Sequence, residues 1–225
     1  MTAIRGESRS FVGLLDPSER SALLALGFPR EFSRGAILMY EGEPGERVMI
    51  LESGRVKVTR VEAAGHETLL SIRDPEDIVG ELAVIDDGPR LATVTALETV
   101  RVVVIASSVF RAHVRSSPGV AVALLEVVTR RFRETTIKRS QFAASDTIGR
   151  LAARIVELAE RYGSGRDGVI EIELALSQEE LAAWTGASRA GAAKALQTLR
   201  ELGWIETHRR RIVVCQLEAL RKRAA

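Results

Sequence analysis

A glutamate and an arginine flank a tight turn in the stretch GELAVIDDGPRLATV, residues 80–94. Glu81 follows a glycine, and Arg90 follows the Gly88–Pro89 pair, in sequence that is mostly apolar. Gly80 lets a backbone approach a ligand closely. Backbone N–H groups after the turn and the Arg90 guanidinium could hold a singly charged phosphate, while Glu81 could accept from a sugar hydroxyl. The stretch predicts a phosphate cradle; the alternative is an ordinary turn in which Arg90 pairs with a nearby acid.

A second set of residues has the spacing of a helix-turn-helix, Q-x-x-L-A-x-x-x-G-x-S-x-x-x-A-x-x-x-L, within residues 177–202. Ser177 and Glu180 form a capping-box pattern that predicts the start of the first helix. Gly186 can take a positive φ angle in the turn, and Ser188 is placed to cap the second helix, which has Ala192 and Leu196 on its inner face. The hairpin-like stretch WIETHRRRIVV follows at once, which indicates a winged version of the motif.

The second of these helices has the residues that could read DNA. Arg189 lies at its N-terminal end and could bind guanine O6 and N7, and Lys194 faces a similar direction. Arginines in the hairpin could neutralise phosphates. The alternative is a helical hairpin of an unrelated α domain with a basic tip. The predicted DNA-binding residues are Ser177, Gln178, Ser188, Arg189, Ala190, Lys194, Arg209, Arg210 and Arg211.

Charge is distributed unevenly along the 225 residues, although the net charge is only +2. The first 110 residues contain 17 acidic and 12 basic side chains, whereas the rest contain 13 acidic and 20 basic ones. This asymmetry favours two domains, of which the second is a candidate for binding nucleic acid. No apolar run approaches the ~18 residues of a membrane span, and the single cysteine excludes an internal disulfide. We therefore expect a cytoplasmic protein that does not contact membranes.

The elements that must position these residues follow from periodicity and turn signals. The first ~30 residues are expected to be helical, with a stop at Gly27 and Pro29. Short apolar runs separated by glycines, from Glu31 to about Phe110, predict a β barrel or sandwich. One long helix is expected from Pro118 to about Ser145, to pair with a twin or to lie on its own barrel. The final part is expected to hold a helix, the loop GSGRDG, a strand VIEIEL, the helix-turn-helix and the hairpin, with Cys215 as a buried strand residue.

These motifs, in this order, resemble the cyclic AMP receptor protein/FNR superfamily of bacterial transcription regulators. The resemblance rests on EGEPGERVMILESGRVKV, on the GELA and GPR-ATV cassette, on the long helix and on the winged helix-turn-helix. It implies an α+β fold with a cyclic-nucleotide-binding β jelly roll over residues 1–117, a dimerisation helix over 118–145 and a winged-helix DNA-binding domain over 146–225. It also implies cyclic AMP as effector, a homodimer on two DNA half-sites about one helical turn apart, and RNA polymerase as a partner.

The resemblance also assigns roles residue by residue. Glu81 matches the position that bonds the ribose 2′-hydroxyl, and Arg90 matches the arginine that pairs with the cyclic phosphate. Thr135 and Thr136 match positions that reach the nucleotide, with Thr136 contributed across the dimer. The ligand-binding residues implied in this way are Leu70, Ser71, Gly80, Glu81, Leu82, Arg90, Leu91, Arg131, Thr135 and Thr136.

Two residues depart from the family pattern. Leu91 stands where cyclic AMP binders usually carry Ser or Thr, whose hydroxyl also touches the phosphate; its absence could weaken binding by about tenfold or more, or indicate another ligand. Ala190 stands where the founding member has an acid that accepts from cytosine, and its methyl group could contact thymine instead. The operator is therefore expected to differ from the TGTGA-type half-site, while the paired arrangement stays.

The sequence also leaves alternatives to a regulator controlled by cyclic AMP. The same dimer could be constitutive or respond to another effector, or the chain could be a cyclic-nucleotide sensor that acts on a protein partner through the helix-turn-helix. Iron–sulfur oxygen sensors need several N-terminal cysteines, and haem sensors need axial ligands, whereas His66 and His113 are expected in loops or at the surface. An enzyme is not expected, because neither a Ser–His–Asp set, a metal cluster nor a nucleotide-triphosphate loop is present in the sequence.

Overall fold

The computed structural model describes residues 10–61, 67–166, 169–173, 176–208 and 211–224. The chain divides into two compact units, one that ends at Arg133 and one that begins at Glu134. None of the helices in the described ranges combines the length and the apolarity that a membrane crossing requires. The three-part domain division at residues 117 and 145 stays a prediction.

The N-terminal unit opens with a short helical segment and continues as eight strands. A 3-10 turn at Val12–Leu14 precedes helix α1, whose N-cap Asp16 accepts from the amides of Ser18 and Glu19 in a capping box. The helix ends at Leu24, three residues before the predicted stop at Gly27, and Pro29 already lies inside the first strand. The elements are α1 (Pro17–Leu24), β1 (Phe28–Phe32), β2 (Ile37–Met39), β3 (Arg47–Ser53), β4 (Val56–Val61), β5 (Glu67–Arg73), β6 (Ile78–Val79), α2 (Glu81–Ile85), β7 (Thr93–Ala96) and β8 (Val100–Ala106).

The eight strands form two antiparallel four-stranded sheets, which confirms the predicted β jelly roll. Their orders are β1-β8-β3-β6 and β2-β7-β4-β5. Alternation along β3 explains its nearly continuous apolar sequence: Met49 and Leu51 belong to the cluster shared by both sheets, whereas Val48 and Ile50 pack in the cluster that the helices cover. Both faces of β3 and β8 are therefore mostly buried and their central positions are apolar, whereas the edge strand β1 is exposed at all positions except Phe32.

Two further helices complete this unit. Helix α3 (Ser107–Ser116) was not predicted, since the sequence suggested strand to about Phe110. Phe110 is fully buried and Val114 packs beside it, four residues on, which is helical spacing. Helix α4 (Pro118–Ala144) confirms the predicted long helix, and its residues Val120 and Leu124 pack under the first sheet.

His113 corrects the expectation of a loop or surface histidine. It lies in α3, is only partly exposed, and its Nε2 atom is buried with no hydrogen-bond partner among the described residues. His66 lies outside the described residues.

The C-terminal unit is built on a helix and a four-stranded sheet of order β11-β12-β10-β9. Its elements are α5 (Thr147–Tyr162), β9 (Gly163–Arg166), β10 (Val169–Glu173), α6 (Gln178–Trp184), α7 (Arg189–Glu201), β11 (Ile205–His208), β12 (Arg211–Val214) and α8 (Leu217–Ala224). The predicted strand VIEIEL and the two helices with their hairpin are confirmed over their described residues.

Three details of this unit differ from the sequence expectations. The first residues of the GSGRDG loop form the edge strand β9, which pairs antiparallel with β10 despite its glycines. Helix α8 was not predicted, and its Leu220 is fully buried. Cys215 is not a buried strand residue: it follows β12, is partly exposed, and its amide donates to the carbonyl of Trp204. Burial and the nearby Glu206 raise the pKa of the Cys215 thiol.

Candidate functional site

The corner between β6 and α2 requires glycine at position 80. Gly80 has a φ angle of 83°, in the left-handed region that side chains disfavour. A Cβ atom there would lie 2.5 Å from Arg90 Nη1 and 2.8 Å from the Met39 methyl carbon, so space excludes it as well. Gly80 therefore brings the main chain directly against the guanidinium of Arg90.

Arg90 is fixed through both its main chain and its side chain, and it is only 5% exposed. Its amide donates to the Glu43 carbonyl at 2.8 Å, and its own carbonyl accepts from the Gly42 amide at 2.9 Å. Its Nη1 donates to the Gly80 carbonyl at 2.6 Å, and its Nη2 donates to the carbonyl of Arg47. Two guanidinium nitrogens thus donate to neutral carbonyls, and among the described residues no carboxylate is directly bonded to this positive charge.

Burial governs the electrostatics of this arginine. Desolvation lowers the pKa of Arg90, and the positive charge of Arg47 lowers it further, while Glu43, Glu81 and Glu46 act in the opposite direction. An arginine keeps its charge even so, because its ordinary pKa lies far above neutral pH. A desolvated cation is attractive to an anion, because the interaction is only weakly screened there.

Glu81 is equally buried but is bonded to a different arginine. It is 4% exposed, and Arg131 of α4 donates to it from Nη1 at 2.8 Å. The other end of the same guanidinium donates to the Ile78 carbonyl at 3.0 Å and lies 3.4 Å from Asp77 Oδ1. Asp77, 7% exposed, was not anticipated from the sequence; the only signal was an acid four residues before Glu81. Arg131 thereby ties α4 to the end of β6.

The remaining predicted ligand residues are more exposed. Leu70 and Ser71 lie on β5 next to a bulge, where Ser71 pairs with Val58 and Leu69 pairs with Thr59, so Leu70 is the extra residue. Leu82 is 38% exposed on α2, and Leu91 is 56% exposed beside Arg90. Thr135 and Thr136 are exposed residues of α4 in the second unit, so their approach to the ligand stays a prediction.

The second candidate site is the helix pair α6 and α7, which is capped as predicted. The Ser177 amide donates to Glu180 Oε2 at 2.6 Å, and the Glu180 amide donates to Ser177 Oγ at 3.1 Å. Gly186 in the turn has a φ of 58°. Ser188 caps α7 by accepting from the Gly191 amide at 3.1 Å. These contacts fix where each helix begins and therefore which residues α7 presents.

Two arginines of α5 hold the end of α6, and sequence analysis did not identify them. Arg150 Nε donates to the Thr185 carbonyl at 2.9 Å, and Arg154 Nε lies 3.4 Å from the Trp184 carbonyl. The Arg154 guanidinium also lies over the Trp184 ring, 5.1 Å from its centroid, and pairs with Glu157 at 2.7 Å. Burial lowers the pKa of Arg154. Positive charges at a helix C-terminus are favourable, so these contacts stabilise the turn that leads into α7.

The predicted DNA-contacting residues fall partly on an exposed face and partly outside the described residues. Ala192 and Leu196 are buried as predicted, whereas Arg189, Ala190 and Lys194 of α7 are exposed. In the hairpin, Arg211 lies in β12 and approaches Glu171 of β10 at 3.4 Å, so it is partly neutralised. Arg209, Arg210 and the side chain of Gln178 lie outside the described residues, and their contacts stay predictions.

Known proteins similar to this chain show which family it belongs to. Residues 29–117 match the cyclic nucleotide-binding domain, and residues 149–223 match the Crp-like helix-turn-helix domain. The chain is 35% identical over 224 residues to the CRP-like cAMP-activated global transcriptional regulator of Mycobacterium tuberculosis, which covers 100% of both chains. The chain belongs to the family of CRP-like transcriptional regulators. It is also 28% identical over 189 residues to the cyclic AMP receptor protein of Thermus thermophilus, over 84% of each chain.

Solved structures agree with this family fold. The c-di-GMP responsive global regulator CLP of Xanthomonas campestris superimposes with a TM-score of 0.80 at 21% identity, over 88% of this chain and 99% of the other. The CRP-like fold of an N-terminal nucleotide-binding β unit, a long helix and a C-terminal helix-turn-helix is thereby confirmed. Members of this family are transcriptional regulators rather than enzymes.

Proposed function

We propose that this CRP-like regulator is a homodimer whose affinity for DNA is set by a cyclic nucleotide, cyclic AMP in the first place. The observation that carries the proposal is the buried Arg90, whose guanidinium is bonded to main-chain carbonyls beside Gly80. A group that is costly to bury and has no carboxylate bonded to it is suited to a phosphate. The Mycobacterium tuberculosis relative is named as cAMP-activated, which favours cyclic AMP among cyclic nucleotides.

In the proposed complex, Arg90 pairs with the cyclic phosphate and Glu81 accepts from the ribose 2′-hydroxyl. Glu81 is bonded to Arg131 at 2.8 Å, so the ribose hydroxyl adds a donor to a carboxylate that already has one. A carboxylate has about four acceptor sites, so both donors can be accommodated. Leu70, Ser71 and Leu82 border the nucleotide, and Thr135 and Thr136 reach its base, the latter from the partner subunit.

The dimer is supported by the two faces of α4. Its buried residues, among them Val120 and Val127, pack in the N-terminal unit. On the opposite side Val122 and Leu125 are 63% and 67% exposed, and the same side continues through Phe132, which is 71% exposed. Spacings of three and seven residues put these side chains on one stripe of a helix, which is the arrangement that a second copy of α4 would cover.

For DNA, we propose that α7 enters the major groove while the hairpin contacts the backbone. Arg189 and Lys194 read base edges, Ala190 contacts a thymine methyl group, and Ser177, Gln178, Ser188 and the arginines 209–211 contact phosphates. Two half-sites about one helical turn apart would match the two-fold symmetry of the dimer. RNA polymerase is the expected protein partner, and the cytoplasm is the expected location.

The test is isothermal titration of the purified chain with cyclic AMP, with cyclic GMP and an Arg90→Ala variant as controls. Micromolar binding of cyclic AMP that the variant loses would support the effector assignment. Absence of heat with either nucleotide would contradict it and favour a constitutive regulator or one with another effector.

DNA binding is tested separately, because the two activities can fail independently. Duplexes selected from a randomised pool would be titrated by fluorescence anisotropy at several salt concentrations, with and without cyclic AMP. A regulator of this kind loses affinity steeply as salt rises, since phosphate contacts release counterions. A sensor that acts on a protein partner would show no salt-dependent retention of DNA.

A further inference from the structure

A second arginine, Arg47, is in direct contact with Arg90 through its main chain. Arg47 opens β3, and its main-chain oxygen accepts the hydrogen bond from Arg90 Nη2. Its own Nη2 lies 3.5 Å from the Leu38 carbonyl, at the outer limit of a hydrogen bond. Its Nε is buried and has no hydrogen-bond partner among the described residues. The contacts within the protein therefore leave one hydrogen-bond donor of Arg47 unsatisfied. A buried donor without an acceptor costs free energy of folding.

The charges of the two arginines act on each other. After burial, Arg47 is the largest cause of the lowered pKa of Arg90, ahead of the opposing effects of Glu43, Glu81 and Glu46. Two cations so placed repel one another, and the repulsion is strong where water is excluded. An anion between them would relieve the repulsion and could satisfy Nε of Arg47 as well.

We propose that Arg47 is a second phosphate-binding residue, so that the phosphate of a cyclic nucleotide lies between the guanidinium groups of Arg47 and Arg90. The inference rests on the proposed function, because it names a further residue of the same site. It also bears on Leu91: a donor from Arg47 would add a phosphate contact in a site where the side chain of residue 91 supplies none. An arginine is better suited to this than a lysine, because its planar fork can bind two phosphate oxygens.

The experiment is isothermal titration of the full-length chain with cyclic AMP at two salt concentrations. Arg47→Gln removes the charge and keeps a polar side chain, whereas Arg47→Lys keeps the charge and loses the planar guanidinium that can bind two oxygens at once. Arg101→Gln is the matched control, because Arg101 is an exposed arginine of β8 in the same unit. We expect Arg47→Gln to weaken binding by about tenfold or more and Arg47→Lys to fall between it and the wild type. The Arg101→Gln variant should bind as the wild type does.

Thermal unfolding without nucleotide separates ligand binding from a structural role. If Arg47 only supports the strand through the Leu38 carbonyl, Arg47→Gln lowers the Tm and leaves the affinity unchanged, which would overturn the inference. If Arg47 binds phosphate, Arg47→Gln keeps its Tm without nucleotide. The loss of the weak contact with the Leu38 carbonyl is then offset by the loss of the repulsion between Arg47 and Arg90. The rise in Tm on adding cyclic AMP should then be smaller than in the wild type.

The possible outcomes distinguish this inference from the proposed function. If Arg90→Ala abolishes binding while Arg47→Gln binds as the wild type does, the second phosphate ligand is wrong and the cyclic-nucleotide effector stands. If the wild type binds neither cyclic AMP nor cyclic GMP, both are wrong. Loss of affinity in Arg47→Gln, with a shallower salt dependence than in the wild type, supports both.

Discussion

Leu91 is an apolar residue next to the buried Arg90, where a serine could offer a hydroxyl to a phosphate. A single substitution tests how much cyclic AMP affinity the missing hydroxyl costs. Leu91 is 56% exposed, so replacing it should change the free energy of unfolding little. We expect Leu91→Ser to tighten cyclic AMP binding by about tenfold, because a net hydrogen bond to a charged group contributes ~1.5–3 kcal/mol. Titration calorimetry measures the change. Leu91→Ala is the matched control, and equal affinities of the two variants would contradict a phosphate contact at this position.

Gly80 allows a second residue-level prediction with a built-in control. Gly80→Ala should lower stability, because φ is positive, and should also displace Arg90, whose Nη1 lies 2.5 Å from the added Cβ. Gly35 has a similar φ of 79° but has nothing within 4 Å of its Cβ position. Gly35→Ala should therefore lose only the about 1–2 kcal/mol that the positive φ costs, less than Gly80→Ala, and should keep its ligand affinity. If both variants bind cyclic AMP equally well, close approach at Gly80 does not matter for binding.

At this scale the sequence singled out candidate residues that lie close together along the chain, and it did not identify residues whose partners are distant in sequence. Gly80, Glu81 and Arg90 could be singled out because a positive φ, an acceptor and a cation occur within one short stretch. Arg47 and Asp77 could not, since one contributes through a main-chain carbonyl and the other through an arginine on a distant helix. The periodicity of a sequence does not predict contacts between residues so far apart along the chain.

At the scale of elements, the start of α5 depends on one aspartate. Asp146 accepts from the Gly149 amide at 2.8 Å, and Arg223 of α8 also bonds to it. Asp146→Ala should lower the free energy of unfolding by about 1 kcal/mol at neutral pH. Asp146→Asn should lose less, because asparagine is also a good N-cap. Denaturant unfolding followed by circular dichroism measures both.

The same aspartate predicts a pH dependence. Hydrogen bonding from Gly149, and then Arg223, lower the pKa of the Asp146 carboxyl below its ordinary 3.8. Its stabilisation is therefore fully present above that value and is lost as the pH falls through the lower, folded-state pKa. The stability difference between the wild type and Asp146→Ala should be constant from pH 7 to about pH 5 and should shrink only in stronger acid. A difference that shrinks already between pH 7 and pH 5 would contradict this origin.

Elements that the sequence missed form through contacts with their neighbours. The sequence suggested that the strand continues to Phe110, but Phe110 and Val114 are four residues apart on helix α3, which packs against the sheet. The glycines of β9 are typical of a loop, and this strand forms because it pairs with β10. The long α4 and the capped α6 and α7 were predictable, because their signals lie within a few residues of sequence.

For the whole molecule, the exposed stripe of α4 gives a prediction about assembly. Leu125→Glu should convert the proposed dimer to a monomer, because it places a charge on the side where a second copy would pack. Sedimentation velocity measures the state, and DNA affinity for a two-half-site duplex should fall with it. Val109→Glu is the control, since Val109 is also an exposed apolar residue, 40% exposed, but belongs to α3 and not to α4. Equal sedimentation of both variants and the wild type would place the subunit contact elsewhere.

The two tryptophans of the chain, Trp184 and Trp204, both belong to the unit that begins at Glu134. Trp184 is 3% exposed and stacks with Arg154, so its emission depends on how α5 meets the end of α6. The unit with Arg90 contains none. Tryptophan emission is therefore blind to nucleotide contacts made within that unit. A spectral change on adding cyclic AMP would instead register a rearrangement of the DNA-reading unit, without any attached dye.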